Sequence, residues 1–202
     1  MNIMKIYGDI YSGNCYKLQL LCSLLSINHD WIAVDILKGE TETPEFLQMN
    51  PNGKIPLLVT SDGYCLAESN AILFYLARHS RLLPTERLQQ ARVLQWQFFE
   101  QYSHEPNIAV ARFIMRYLGM PEERRAELQD RQVGGYRALD VMEIQLGKTE
   151  YLVGHQCTIA DISLYAYTHV ADEGGFDLSG YSAIIDWLGR IQSLDGYIAM
   201  GG

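Results

Sequence analysis

The stretch Asn-Pro-Asn-Gly-Lys-Ile-Pro-Leu-Leu at residues 50–58 decides how the first part of the chain folds. It is a polar turn that leads into a short apolar strand, and Pro56 stands where the strand begins. A second polar turn follows at residues 60–64, and Glu68 and Ser69 then stand at the head of a helical pattern. Two short apolar runs around a turn are typical of a β-hairpin. This region therefore predicts a hairpin that leads into the N-terminus of a helix.

The residues before this stretch extend it to a complete α/β unit. Residues 4–7 and 31–34 predict two strands, and the apolar residues between them recur at the helical period after a polar turn. Two strands that a helix separates run parallel. A short helix opens at residues 43–47, and residues 68–79 are helical. We therefore expect the order βαβαββα over residues 1–80.

The rest of the chain has a helical pattern. From residue 86 onward apolar residues recur at helical spacing without a strand signal, and glycines and prolines separate about five helices. The fold class is thus α/β plus all-α. We expect an α/β domain at residues 1–80, a linker at residues 81–87 and an all-helical domain at residues 88–202. Pro106 interrupts the first long helix and either kinks it or splits it.

The composition limits the class of partner. The hydrophobic fraction of 48% is ample for a buried core, and the formal charge of −8 argues against nucleic-acid binding, which needs clustered Lys and Arg. The sequence has no apolar run of about 18 residues, the length of a membrane span. The N-terminus has no signal-peptide pattern, so we expect a cytoplasmic protein. The four cysteines form no CxxC pair, so we expect neither a redox dithiol nor a metal.

The peptide bond between Ile55 and Pro56 precedes a proline, and only such peptide bonds adopt the cis form readily. A cis bond at the start of a strand turns the N–H and C=O of Ile55 outward, where an extended ligand can pair with them. At the helix start, the hydroxyl and N–H of Ser69 can take a carboxylate, and Glu68 can accept an ammonium. An α-amino-acid head carries both charges. The simpler alternatives are an edge-strand proline and a helix cap.

Ser12 and Asn14 stand where the first strand turns into the first helix. Hydroxyl and N–H donors at a helix N-terminus stabilise an anion. Lowering the pKa of a thiol from about 8.5 by about two units takes roughly 2.7 kcal/mol, which a charge-assisted hydrogen bond and a helix terminus supply together. The result is a bound thiolate, which is a nucleophile at neutral pH. The alternative is that Ser12 only caps the helix.

These segments together resemble the glutathione S-transferase family, in particular bacterial serine- or asparagine-type members similar to the theta and nu classes. The resemblance covers nearly the whole chain. Its segments are residues 7–17, 44–46, 50–56, 66–72, 151–154 and 158–162. The resemblance implies a thioredoxin-like first domain, an all-helical second domain and a cis bond before Pro56. It also implies glutathione as a co-substrate.

The resemblance assigns roles to single residues. The implied glutathione-binding residues are Lys54, Ile55, Pro56, Glu68 and Ser69. The backbone of Ile55 would pair with the cysteinyl part of glutathione, and Lys54 would face the glycine carboxylate. The pair at 68–69 would hold the γ-glutamyl group. Ser12, assisted by Asn14, would stabilise the thiolate as the catalytic pair.

Some positions depart from the family pattern and leave alternatives open. A tyrosine phenol or a cysteine near the first turn rivals Ser12 as the group that acts on the thiol. Thr41 stands where some relatives have a histidine for the glycine carboxylate, so that contact is either missing or made by a neighbour. The alternatives are Tyr7, Tyr11 and Cys15 for the thiol, and Glu42 and Gln48 for the carboxylate.

The electrophile pocket is expected between the first loop and one face of the helix around Pro106. Several of its residues follow helical spacing, although the same residues also suit a helix core or an ion pair. The expected pocket residues are Ile10, Tyr11, His104, Ile108 and Arg112. Thr158 and Asp161 have the spacing of a capping box, so we expect Asp161 to support folding and leave it out of the site.

The sequence thus predicts an enzyme that conjugates the glutathione thiolate to small hydrophobic electrophiles, a detoxification activity. Two alternatives use the same scaffold: glutathione-dependent reduction of disulfides or peroxides, and a binding protein without catalysis. The resemblance implies a homodimer. Neither nucleic acid nor a membrane is an expected partner.

Overall fold

The computed structural model describes residues 3–201, which divide into two compact units. The second unit is Arg81–Ser193, and the first takes in the chain before it. The residues from 194 onward, which we expected in the helical domain, group with the first unit. They pack on its first helix, where the Tyr16 hydroxyl donates to the Ile198 carbonyl oxygen at 2.7 Å.

The first unit has the expected βαβαββα order. Its elements are β1 (Lys5–Gly8), α1 (Gly13–Leu24), β2 (Asp30–Ala33), α2 (Pro44–Met49), β3 (Leu57–Val59), β4 (Cys65–Ala67) and α3 (Ser69–Leu76). The four strands form one sheet in the order β2-β1-β3-β4. β1 and β2 are parallel, and the other two pairs are antiparallel. This mixed sheet confirms the thioredoxin-like fold of the first domain.

Local sequence signals fix where the helices and the hairpin begin. Ser12 caps α1 and Thr43 caps α2, because each side-chain oxygen accepts a hydrogen bond from the backbone N–H three residues later in the chain. Pro44 occupies the first turn of α2, where its missing N–H costs nothing. Between β3 and β4, the N–H of Thr60 donates to the carbonyl oxygen of Tyr64 and closes the hairpin. These signals place the loops that carry the candidate site.

Apolar side chains cover both faces of the sheet. Ile6 and Leu58 are register partners and are fully buried on one face. The alternate residues point to the other face, where Leu57 packs with Phe46 of α2 in a cluster that also receives Tyr7. Ile55 packs its side chain against the same cluster. Packing of the Ile55 side chain against this core cluster therefore holds the turn before β3 in place.

The described part of the second unit consists mainly of five α-helices. They are α4 (Arg87–Phe99), α5 (Glu105–Arg112), α6 (Arg125–Leu146), α7 (Ile159–Thr168) and α8 (Ser182–Gln192). α7 is buried along its whole length. Thr158 and Asp161 form the expected capping box at its start. These helices confirm the all-helical second domain.

Pro106 neither ends the helix nor splits it. Helical backbone continues from α4 through a π-helical turn at Glu100–His104 into α5, and a second π-helical turn follows at Phe113–Tyr117. At the first of these turns the N–H of Glu105 donates to the carbonyl oxygen of Glu100. The wider π-helical turn accommodates Pro106, which has no N–H and would disrupt an ordinary helical turn.

Within residues 3–201, no helix is both long enough and apolar enough to cross a membrane. In the same part of the chain, no three His, Cys, Asp or Glu side chains converge as a metal ion would require. All four cysteines are free thiols, and only Cys65 is exposed. Disulfides therefore do not contribute to the stability of either unit.

Candidate functional site

Three chain segments reach the same end of the sheet in the first unit. The register pairs Tyr7 of β1 with Leu57 of β3, and Leu57 with Ala67 of β4. Neighbouring strands lie about 4.8 Å apart, so the residues just beyond these positions lie within about 10 Å of one another. The three segments are the loop that leads to Ser12, the turn at Ile55–Pro56 and the helix start at Glu68–Ser69.

The turn before β3 offers an unpaired stretch of backbone. The Ile55–Pro56 bond is cis, as the family resemblance implies. Neither the N–H nor the C=O of Ile55 pairs with another described residue. The Asn50 side-chain amide donates to the Lys54 carbonyl oxygen at 2.7 Å and holds the turn. An extended peptide can therefore pair with Ile55 as an added strand would.

Glu68 has a backbone conformation that few residues other than glycine adopt. Its φ is 68° and its ψ is 109°, which costs of the order of 1–3 kcal/mol. The carboxylate is exposed and makes no capping bond to α3. Strain of this kind persists where the surrounding structure over-determines it, and such positions cluster at functional sites. An exposed acidic group held beside a helix N-terminus suits a ligand ammonium.

Ser69 differs in detail from the expectation that it caps α3. Glu68 occupies the cap position, and Ser69 is the first residue of the helix with its side chain turned inward. Its hydroxyl donates to Oδ1 of Asn14 at 3.2 Å and accepts from Nζ of Lys17 at 3.2 Å. The backbone N–H of Ser69 is among the first N–H groups of α3, which have no partner within the helix. That N–H is the donor that suits a ligand carboxylate.

Lys17 was missed at the level of sequence. It has no exposed surface, although lysine is almost never fully buried without a partner. A signal was present: Lys17 shares a helical stripe with Leu20, Leu21 and Leu24, all of which are buried. A lysine on an apolar stripe predicts a buried ammonium beneath the loop that carries Ser12.

Ser12 combines capping with a hydroxyl proton that the cap does not use. Its N–H donates to the Asp9 carbonyl oxygen at 3.1 Å, and its Oγ accepts from the N–H of Cys15 at 3.5 Å. The cap uses a lone pair of the hydroxyl, so the O–H remains as a donor. The side chain is half-buried at the first turn of α1. Capping and stabilisation of a thiolate are therefore compatible roles for one serine.

Burial excludes Cys15 as a nucleophile. The thiol has no exposed surface, and a Cβ on Gly8 would lie 2.9 Å from its sulfur, which therefore packs against β1. Burial raises the pKa of Cys15 to about 12, and the hydrogen bond from Ser12 only partly opposes this. A neutral, inaccessible thiol is unreactive.

The two tyrosines near the first loop differ in their surroundings. Tyr7 packs edge-on against Phe46 with 6.4 Å between ring centroids. It lines an open cleft of about 770 Å³ that contains neither the turn at residues 55–56 nor the helix start at 68–69. Tyr11 lies on the loop itself and is 46% exposed. Tyr7 therefore packs on Phe46 and lines a separate cleft, whereas Tyr11 is exposed on the same loop as Ser12.

The expected site for the glycine carboxylate contains one exposed cation. Lys54 is exposed and forms no ion pair with the described residues. Thr41 is buried beside Gly53, so its side chain does not replace the histidine of other relatives. Glu42 and Gln48 are exposed. Lys54 therefore has the charge and the exposure that a carboxylate needs.

The residues that we expected to line the electrophile pocket lie in different surroundings. Ile10 and Tyr11 are on the first loop of the first unit. His104 and Ile108 are fully buried in the helical unit, and Nε2 of His104 bonds Oγ1 of Thr168 at 2.9 Å. Helical spacing alone did not distinguish an interior face from a pocket wall.

Arg112 is also an interior residue of the helical unit. Its side chain is 3% exposed and forms an ion pair of 2.6 Å with Glu173. Its guanidinium lies 5.8 Å from the ring centroid of Tyr117. Arg112 thus forms an ion pair with an acidic residue, which was the alternative to a role in the pocket wall.

Comparison with known proteins identifies the family. The model described as "Glutathione S-transferase, N-terminal domain" matches residues 3–78, and "Glutathione S-transferase, C-terminal domain" matches residues 107–195. The chain is 31% identical over 195 residues to the disulfide-bond oxidoreductase YfcG of Escherichia coli (strain K12), a match that covers 92% of this chain and 90% of that protein. The chain belongs to the glutathione S-transferase family. The sequence-based resemblance is thereby confirmed.

Solved structures of glutathione S-transferases agree with this assignment. A glutathione S-transferase from Pseudomonas fluorescens [Pf-5] is 59% identical, with a TM-score of 0.98 and coverage of 100% of both chains. The glutathione transferase URE2P6 from Phanerochaete chrysosporium, solved in complex with oxidized glutathione, is 26% identical, with a TM-score of 0.87 and coverage of 96% and 93%. The chain is an enzyme of the glutathione transferase type, and relatives with this fold bind glutathione.

Proposed function

We propose that this glutathione S-transferase conjugates the thiolate of glutathione to small hydrophobic electrophiles. The observation that carries the proposal is the 3.2 Å contact between Ser69 and Asn14. It joins the helix start that suits an α-amino-acid head to the loop that suits a thiolate. Glutathione carries both groups on one short chain, so a single ligand can meet both.

Each part of glutathione has a partner of matching chemistry. The glycine carboxylate pairs with Lys54, and the cysteinyl backbone pairs with the free N–H and C=O of Ile55 beside Pro56. The γ-glutamyl ammonium faces Glu68, and its carboxylate takes the N–H of Ser69 at the positive end of α3. Charged or backbone groups of four residues therefore fix the tripeptide in one direction.

The sulfur then lies at the first turn of α1. The hydroxyl of Ser12 donates a hydrogen bond to the thiolate, and the amide of Asn14 assists. The thiolate attacks the electrophilic carbon and forms a carbon–sulfur bond, and the leaving group takes the bonding electrons. On the electrophile side we retain Ile10 and Tyr11. The burial of the helical-unit residues at 104, 108 and 112 gives them a supporting role for the helices.

Disulfide reduction is the second candidate, because a relative 31% identical to the chain is named a disulfide-bond oxidoreductase. In this reaction the bound thiolate attacks a disulfide, forms a mixed disulfide and releases a thiolate. The thiolate of a second glutathione then attacks the glutathione sulfur of the mixed disulfide, which forms oxidised glutathione and releases the second thiolate of the substrate. The raised pKa of Cys15, about 12, removes this protein thiol from the chemistry. Glutathione therefore supplies both electrons.

A Ser12→Ala variant tests the proposal. It removes the donor to the sulfur, so conjugation of an activated aryl halide falls about ten- to thousandfold while glutathione still binds. Cys22→Ala, in the core of the same helix, is a control that leaves the catalytic donors intact. Equal rates for Ser12→Ala and the wild type contradict the assignment of Ser12. A disulfide substrate run in parallel decides between the two reactions.

The remaining proposals concern the setting of the enzyme. We propose a homodimer in the cytoplasm with a role in detoxification, and neither nucleic acid nor metal as a partner. Exposed aromatic residues on α4, Phe98 at 70% and Tyr102 just beyond it at 88%, support a protein partner. Sedimentation of the purified protein tests the dimer, and a monomer at micromolar concentration contradicts it.

A further inference from the structure

Lys17 places a buried positive charge under the start of α3. The side chain has no exposed surface, and its Nζ lies 3.2 Å from Oγ of Ser69, which is itself 5% exposed. Removing an ammonium from water is unfavourable unless hydrogen bonds replace its hydration. The charge therefore lies where it acts on Glu68 and Ser69, which we call the γ-glutamyl clamp.

The hydrogen bonds from Lys17 have a direction. An ammonium has donors and no acceptor, so the oxygen of Ser69 accepts from it. The single O–H of Ser69 then donates its hydrogen bond to Oδ1 of Asn14 at 3.2 Å. The chain of bonds thus runs from Lys17 through Ser69 to Asn14. It holds the carbonyl end of the Asn14 amide toward Ser69 and leaves the Nδ2 end on the opposite side.

The orientation of Asn14 matters because its two ends differ in chemistry. A thiolate is stabilised by a donor and repelled by an acceptor. A flipped amide would present oxygen where the proposed mechanism needs N–H. We propose that Lys17 is a positioning residue, which aligns Ser69 and through it Asn14, so that one ammonium supports both the γ-glutamyl clamp and the donor to the sulfur. This inference rests on the proposed function of the site.

The charge of Lys17 also reaches the first turn of α1. Burial is the main cause of the raised pKa of Cys15, and the charge of Lys17 is one of the factors that oppose it. A thiolate bound at the same turn experiences a field of the same sign. The field and the orientation of the amide act in the same direction, since both favour the ionised sulfur.

The test is the pKa of the bound thiol, read from thiolate absorbance against pH at saturating glutathione. Ser69 does not touch the sulfur in the proposal, so a residue that only clamps the γ-glutamyl group changes affinity and leaves this pKa unchanged. We expect Ser69→Ala and Lys17→Met each to raise the pKa of the bound thiol by about one unit, which is a roughly tenfold smaller acid dissociation constant. Lys17→Arg keeps the positive charge, so we expect the pKa of its bound thiol to stay close to that of the wild type.

The control is Lys5→Met, which removes an exposed lysine from β1 and leaves the pKa of the bound thiol unchanged. An unchanged pKa in folded Ser69→Ala overturns the proposal, and this variant decides the question even where Lys17→Met does not fold. Wild-type protein that does not bind glutathione refutes the proposed function and the positioning role together. Binding by the wild type with no pKa response in the variants refutes the positioning role alone.

Discussion

Asp161 provides a quantitative test of the claim that this charged residue supports folding and takes no part in the chemistry. Its carboxylate has no exposed surface. Oδ1 accepts the N–H of Leu152 at 2.9 Å and Nε1–H of Trp187 at 3.0 Å. Oδ2 accepts the N–H of Thr158 at 2.8 Å and its hydroxyl at 3.0 Å. One side chain therefore joins the start of α7, the loop before it and α8.

The magnitude follows from the donors that lose their acceptor. Asp161→Ala leaves three N–H groups buried without a partner, and each such group costs about 1–3 kcal/mol. Because such costs are not additive, we expect the free energy of unfolding to fall by about 4 kcal/mol. Asp161→Asn keeps one oxygen for Leu152 and Trp187 and loses the capping box, so we expect a loss of about 2 kcal/mol.

Urea denaturation of the three proteins measures these losses, with Asp186→Asn as a control on the exposed face of α8. The control changes stability by less than about 0.5 kcal/mol. For the fraction that remains folded, the specific activity of Asp161→Asn equals that of the wild type. A loss of activity with unchanged stability would contradict the structural role and place this carboxylate in the mechanism.

Two further predictions concern packing. With a pKa of about 12, roughly 10⁻⁴ of the Cys15 thiol is ionised at pH 8, and burial further slows its reaction with reagents. We therefore expect a thiol reagent to modify the exposed Cys65 within minutes and to leave Cys15 intact, which peptide mapping measures. Gly135→Ala in α6 meets the ring of Phe176 and lowers the thermal midpoint, at a cost of about 1–3 kcal/mol. Gly189→Ala in α8 meets open space and stabilises by about 0.5–1 kcal/mol; a gain at both glycines would contradict the packing.

The fold was predictable from the sequence because its signals are local. Turn residues, a proline at a strand start and capping side chains depend on neighbours within a few positions. They gave the βαβαββα order and the capping box at Thr158. Boundaries moved by one to three residues: α3 was expected at residues 68–79 and covers Ser69–Leu76, with Glu68 at the cap position.

The parts that were missed depend on tertiary packing. Helical spacing places His104 and Arg112 on one side of a helix, but which side faces the core depends on α7 and on Glu173, far along the chain. The apolar stripe around Lys17 indicated a buried side chain, but its partner Ser69 depends on α3 packing against α1. The tolerance of Pro106 depends on a π-helical turn that has no sequence signal of its own.

The most direct test of the central claim is a crystal structure of this protein with glutathione bound. We expect the tripeptide to pair with the backbone of Ile55, its γ-glutamyl group to lie at Glu68 and Ser69, and its sulfur to lie about 3.3 Å from the hydroxyl of Ser12. Glutathione in another place, such as the cleft beside Lys5, or a sulfur whose nearest donor belongs to another side chain, would refute the proposed binding mode.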